Sequence, residues 1–126
     1  MKLVLLAAAG GAAGSAARYL VTLAAAQIAG FGFPWGTITV NIVGSFIMGL
    51  LIEYGALKAT LPNELRVLLA TGFLGGFTTF SAFSLDFAFL ATRKDYGLAA
   101  IYLAGSVGLS ILALFAGLML IRAWLT

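Results

Sequence analysis

A chain of 126 residues that is 63% hydrophobic and only 9% charged is too apolar for a soluble domain, in which about a quarter of residues carry charge. It contains no Cys and no His, which excludes disulfides, thiol and imidazole catalysis, and His/Cys metal sites. The net charge of +3 is modest and the basic residues are scattered, so nothing points to nucleic acid as a partner.

What remains is a protein whose surroundings are the lipid bilayer. Four apolar segments follow one another, from about Leu3 to Ala29, Gly36 to Leu57, Leu65 to Ala91, and Gly97 to Leu125. Each exceeds the roughly 20 residues that a spanning helix needs. The expectation is an all-α membrane protein, a single domain over residues 1–126 with four transmembrane helices. The first segment runs too long for the apolar region of a cleaved signal. The connections are short, and the first places Pro34 and Trp35 where an interfacial turn and aromatic anchor belong.

Basic residues say something about orientation. Lys2, Lys58, Arg66 and Arg122 fall on one side, and Arg93 and Lys94 on the other, with Arg18 leaning toward the second. The bias is slight. It fits a single topology with the N-terminus inside, and equally insertion in both orientations, which would permit an antiparallel dimer.

Each span carries a polar stripe. In the first, Gly10, Gly14 and Arg18 recur every four residues and share a face. The two glycines suit close helix contact. An Arg inside an apolar span is costly, and it faces protein or water unless it snorkels to the headgroups. The second span places Thr37, Asn41 and Ser45 on one face. The Asn41 amide has donors and an acceptor that want partners, either as an interhelical tie or along a pathway. The fourth span repeats the pattern with Tyr102, Ser106 and Ser110.

The third span holds the run from Gly72 to Ser84, Gly-Phe-Leu-Gly-Gly-Phe-Thr-Thr-Phe-Ser-Ala-Phe-Ser. Gly and β-branched residues are poor helix formers. The run reads either as a kinked helix with small residues for packing or as a break, which lipid tolerates only under cover of protein or water. Gly75 to Thr78 lies about 10–13 residues into the span, roughly 15–20 Å at 1.5 Å per residue. That is near the middle of an apolar layer about 30 Å thick. Phe80, Phe83 and Ser84 gather on one face just beyond it. Phenyl rings have a positive edge. With amide and hydroxyl donors they suit a small anion, and no acidic residue joins these stripes except Asp86. A cation pathway is expected to carry acidic rings.

The residues carry a resemblance. The run Gly10-Gly-Ala-Ala-Gly-Ser-Ala-Ala-Arg18-Tyr, the run Gly36-Thr-Ile-Thr-Val-Asn41-Ile-Val-Gly-Ser and the Gly72–Ser84 run together resemble the three helix motifs of the Fluc/CrcB fluoride channels. Their order, spacing and the chain length match, so the resemblance covers the whole chain. It implies an antiparallel, dual-topology homodimer whose third helix is broken mid-membrane. It implies a fluoride pathway along Asn41, Phe80 and Phe83, with the hydroxyls of Tyr102, Ser106 and Ser110 along the route; the residues themselves add Thr37, Ser81 and Ser84 as further pathway candidates and Arg18 as a charge that gathers anions at a vestibule. It further implies a central sodium ion held by backbone carbonyls of Gly75 and Thr78 from both subunits, and passive fluoride export across a bacterial plasma (inner) membrane that confers fluoride resistance. Two positions depart from the family pattern: Ala82 stands where Thr is usual, and Asp86 where Glu is.

Two other readings compete. A small dual-topology, proton-coupled drug exporter also has four spans, but it needs a carboxylate in the first, which here holds only Arg18 beyond Lys2. A scaffold protein would use every stripe as helix contact. No nucleophile–base constellation is visible, so the chain does not read as an enzyme.

Overall fold

The computed structural model describes residues 1–58 and 60–126, and among these every regular element is helical. Helix α1 covers Lys2–Ala29 and α2 covers Trp35–Lys58. The third span, Asn63–Thr92, is composite. It begins with α3 (Asn63–Arg66), continues as a π-helical stretch over Val67–Leu74, and closes its first half with α4 (Gly75–Phe77). After two extended residues, α5 runs over Phe80–Thr92, and α6 spans Tyr96–Leu125. Four of these lengths are long and apolar enough to cross a membrane, so the four expected spans are present with ends shifted by one or two residues.

Backbone-to-backbone contact sets the packing. Helix α1 lies along the first half of the third span, and its glycines make that possible. A methyl group on Gly10 or Gly14 would run into the carbonyls of Leu68 and Phe73, and one on Gly76 would stand 2.6 Å from the Gly11 carbonyl oxygen. Helices α2 and α6 pack in the same way through Gly49 and Gly117, which face the Leu114 and Phe46 carbonyls. Small residues at such crossings let dispersion forces act over a close interface, the main attraction available between helices in lipid.

The two ends of the bundle are tied differently. At one end, Arg93 donates to the Gly32 carbonyl oxygen (3.3 Å) and pairs with Asp95 (3.1 Å), joining the first and third connections. Lys94 in that turn takes the left-handed conformation, with φ of 65°. At the other end, buried Glu53 on α2 accepts from Arg122 on α6 at 3.0 Å. The sequence expectation passed over Glu53, although Thr37, Asn41, Ser45, Gly49 and Glu53 form one row at four-residue spacing. Asp86 is therefore not the sole acid on the striped faces. Between the ends, an aromatic row runs from Phe33 through Tyr102 and Phe83 to Phe80, with ring centroids 5.4, 5.2 and 5.6 Å apart. Tyr102 is fully buried in it.

Candidate functional site

The π-helical stretch and the interruption after it organise the site. A run of eight π-helical residues is unusual, since π geometry mostly appears as single-turn bulges at functional sites. Sequence reasoning missed it, because π and α geometry share the same local preferences and packing selects between them. Helix geometry then stops at Phe77. Thr78 and Thr79 are extended, with ψ of 157° and 123°.

Side chains from other helices satisfy part of this interruption. Asn41 on α2 uses both ends of its amide on one residue: Thr79 N–H donates to Asn41 Oδ1 at 2.8 Å, and Asn41 Nδ2 donates to the Thr79 carbonyl at 3.0 Å. Arg18 on α1 donates from Nε to the Gly76 carbonyl at 3.0 Å. Thr79 also caps α5, its Oγ1 accepting from Ala82 N–H at 3.1 Å. This is an ordinary N-cap, supplied by a residue type that suits it. Thr78 Oγ1 donates to the Leu74 carbonyl at 2.9 Å. The carbonyls of Gly75, Phe77 and Thr78 accept no hydrogen bond among the described residues.

Beside the interruption lies a cavity of about 310 Å³ between α2, α5 and α6. Its wall includes Asn41, Ser45, Thr78, Thr79, Phe80, Phe83, Ser106 and Ser110, with apolar side chains such as Met48 and Leu114 in the same lining. The lining contains no carboxylate. Among the described residues, the hydroxyl oxygens of Ser106 and Ser110 are buried without a hydrogen-bond partner. A buried hydroxyl left unpaired is costly, so each of these two has a donor and an acceptor free for a water molecule or an ion.

Five of the predicted pathway residues therefore come together: Asn41, Phe80, Phe83, Ser106 and Ser110. Ser45, which the sequence had placed on the Asn41 stripe, joins them, as does Thr79. The others lie elsewhere. Thr37 and Tyr102 are outside this cavity, and the Tyr102 hydroxyl donates to Asp86 Oδ2 at 3.1 Å. Ser84 donates to the Phe80 carbonyl at 3.0 Å, and exposed Ser81 approaches Thr79 Oγ1 at 3.3 Å. Neither lines the cavity, nor does Ala82. Arg18 is likewise outside it, held against the third span. Gly75 and Phe80 are exposed, Phe80 at 76%, so the cavity has an open flank in the single chain.

Comparison with known proteins places this geometry in context. Residues 5–118 match the family described as CrcB-like protein, Camphor Resistance (CrcB). A protein of Chelativorans sp. (strain BNC1) is 55% identical over 114 residues, covering 90% of this chain and 91% of its own. One from Rhizobium etli (strain ATCC 51251) is 54% identical over 119 residues, covering 94% and 95%. One from Caulobacter vibrioides (strain NA1000 / CB15N) is 52% identical over 123 residues, covering 97% of each. All three carry the name fluoride-specific ion channel FluC.

Proposed function

The chain belongs to the CrcB family, and from that premise we propose that it is a passive fluoride-specific ion channel. It is a multi-pass membrane protein and not an enzyme. The observation that carries the reading is the cavity beside Thr78 and Thr79. Its polar groups are amide and hydroxyl donors, two of them buried and unpaired, with phenyl rings alongside and no carboxylate in the wall. A small, strongly hydrated anion gives up water only where donors replace it, and such a wall offers them. The drug-exporter reading has no support, since α1 holds no carboxylate.

Several finer features belong to the same proposal. The functional unit is a homodimer of antiparallel copies in the bacterial inner membrane, with the interrupted third span near mid-depth. Exposed Phe80 and the open flank of the cavity support a second copy as the missing wall. A two-fold axis in the membrane plane would bring the two interruptions together. The free carbonyls of Gly75 and Thr78 then fit a sodium ion between the subunits: they are hard oxygen ligands, and carbonyls without donors are not stable in lipid. Such an ion would supply structural cross-bridging and a positive field that favours anions. Export follows from the membrane potential, since a negative interior drives a monovalent anion outward by about 2.3 kcal/mol per 100 mV.

The test is fluoride efflux from liposomes containing the purified protein, with chloride as the control. Fluoride release that needs no proton gradient and leaves chloride behind is the expected result. Equal release of both anions, or none, overturns the proposal.

A further inference from the structure

Arg18 is the one charged group deep in the first span, and charge is the obvious reason to have it there. The geometry points elsewhere. Its inner nitrogen, Nε, donates to the Gly76 carbonyl at 3.0 Å. Among the described residues it has no carboxylate within ion-pair distance.

The acceptor explains the contact. Gly76 lies in α4, which ends one residue later. Carbonyls in the last turn of a helix have no intrahelical donor, and inside a membrane they need one from elsewhere. Arg18 supplies it from α1. On the far side of the interruption, Asn41 supplies a donor and an acceptor to Thr79 from α2. Two helices thus grip Thr78–Thr79 from opposite ends. Phe80 follows immediately and Phe83 one turn later, and both line the cavity. Any slip of the interruption moves both rings. Reaction and binding geometries of this kind are sensitive: a misplacement of about 1 Å can cost roughly a hundredfold in rate.

We propose that Arg18 is a positioning residue for conduction, acting through its Nε–H on the Gly76 carbonyl and holding the phenylalanine pair in register, and not through its charge at a pore mouth. This rests on the channel reading above. It assigns Arg18 a role that a neutral side chain can fill, provided the donor stands in the same place.

Glutamine meets that condition, because its side-chain nitrogen is bonded to Cδ just as Arg Nε is. Methionine has similar length and no donor, and lysine keeps the charge without a donor at that position. Fluoride efflux is measured for wild type and for Arg18→Gln, Arg18→Met and Arg18→Lys, together with hydrogen–deuterium exchange over residues 76–82. Arg18→Met is expected to lower maximal flux about tenfold or more, roughly the worth of one well-formed hydrogen bond. Arg18→Gln restores it to within about threefold of wild type. Exchange over 76–82 rises in the Met variant and returns toward wild type in the Gln variant. If the Met protein does not assemble, the Gln and Lys variants decide between donor and charge.

Salt gives a separate readout. Steering by an exposed charge weakens as the Debye length falls from about 30 Å to about 10 Å between 0.01 and 0.1 M salt. The ratio of wild-type to Met flux is expected to hold constant across that range. A Gln variant as impaired as Met while Lys retains flux, or a ratio that collapses with salt, overturns the positioning role and leaves the channel reading intact. Absence of fluoride flux in wild type overturns both.

Discussion

Asn41 illustrates how one side chain can serve structure and transport together. Its carbonyl oxygen and one N–H hold Thr79, and its second N–H remains for the cavity it lines. Asn41→Leu leaves both backbone groups of Thr79 unpaired, at about 1–3 kcal/mol for each buried group. The expectation is loss of fluoride flux together with a lower unfolding midpoint in detergent. Flux that vanishes with stability unchanged would show that the Thr79 contacts carry little. Phe80 is the converse case, exposed in one chain with the Phe83 ring beside it. Phe80→Ile keeps apolar bulk and loses the positive ring edge. It should slow flux sharply while the protein assembles normally, and wild-type flux from a folded variant would remove the ring from the pathway. The stripe spacing made Asn41, Ser45, Ser106 and Ser110 legible as residues on shared faces. It could not say that Asn41 would meet Thr79, 38 residues away, because periodicity names a face and not what lies opposite.

The third span is the element on which site and fold meet. Its first half is held to α1 by glycines, its middle is gripped by Arg18 and Asn41, and its second half restarts from the Thr79 cap. The cap is testable alone. Thr79→Val keeps shape and removes the hydroxyl that accepts from Ala82 N–H. A lost cap of this kind costs about 1 kcal/mol. Faster hydrogen exchange at the start of α5, measured residue by residue, is the expected outcome, with α6 unaffected. Equal protection in both proteins would mean that tertiary contacts alone hold the start of α5. The run of Gly, Thr and Phe left a kink and a break both open, since its residues are poor helix formers, and the structure gives Thr78 and Thr79 extended geometry. The π-helical stretch just before it was not legible. Val67 to Leu74 is an apolar, helix-compatible sequence, and nothing in its residue types separates the wider spiral from an ordinary helix.

For the whole molecule, the single chain leaves much apolar surface uncovered, and lipid or a second copy must meet it. Sodium removal probes the second copy. If an ion joins the Gly75 and Thr78 carbonyls of two subunits, replacing sodium by a large organic cation weakens the dimer and lowers flux together. Dimer mass followed by light scattering in detergent, alongside efflux, reads both. A dimer that keeps its mass and its flux after exhaustive removal contradicts a central ion. Crossing of the break by Arg18 and Asn41 would remain, because those contacts lie within one chain.

The sequence by itself determined four spans, their order and their striped faces. Length against bilayer thickness and four-residue periodicity are local properties, and they need no knowledge of neighbours. It also carried three motifs specific enough to name a family. The tertiary structure decided which stripes meet. It joined Arg18 to Gly76 across 58 residues and Glu53 to Arg122 across 69. It drew Ser45 and Thr79 into the cavity and left Thr37, Tyr102, Ser81 and Ser84 outside it. The physical reason is common to all of these. A helix specifies the direction of each side chain relative to its own axis, whereas the partner of a buried polar group depends on how axes cross. Here the glycine contacts, where backbones touch, set those crossings.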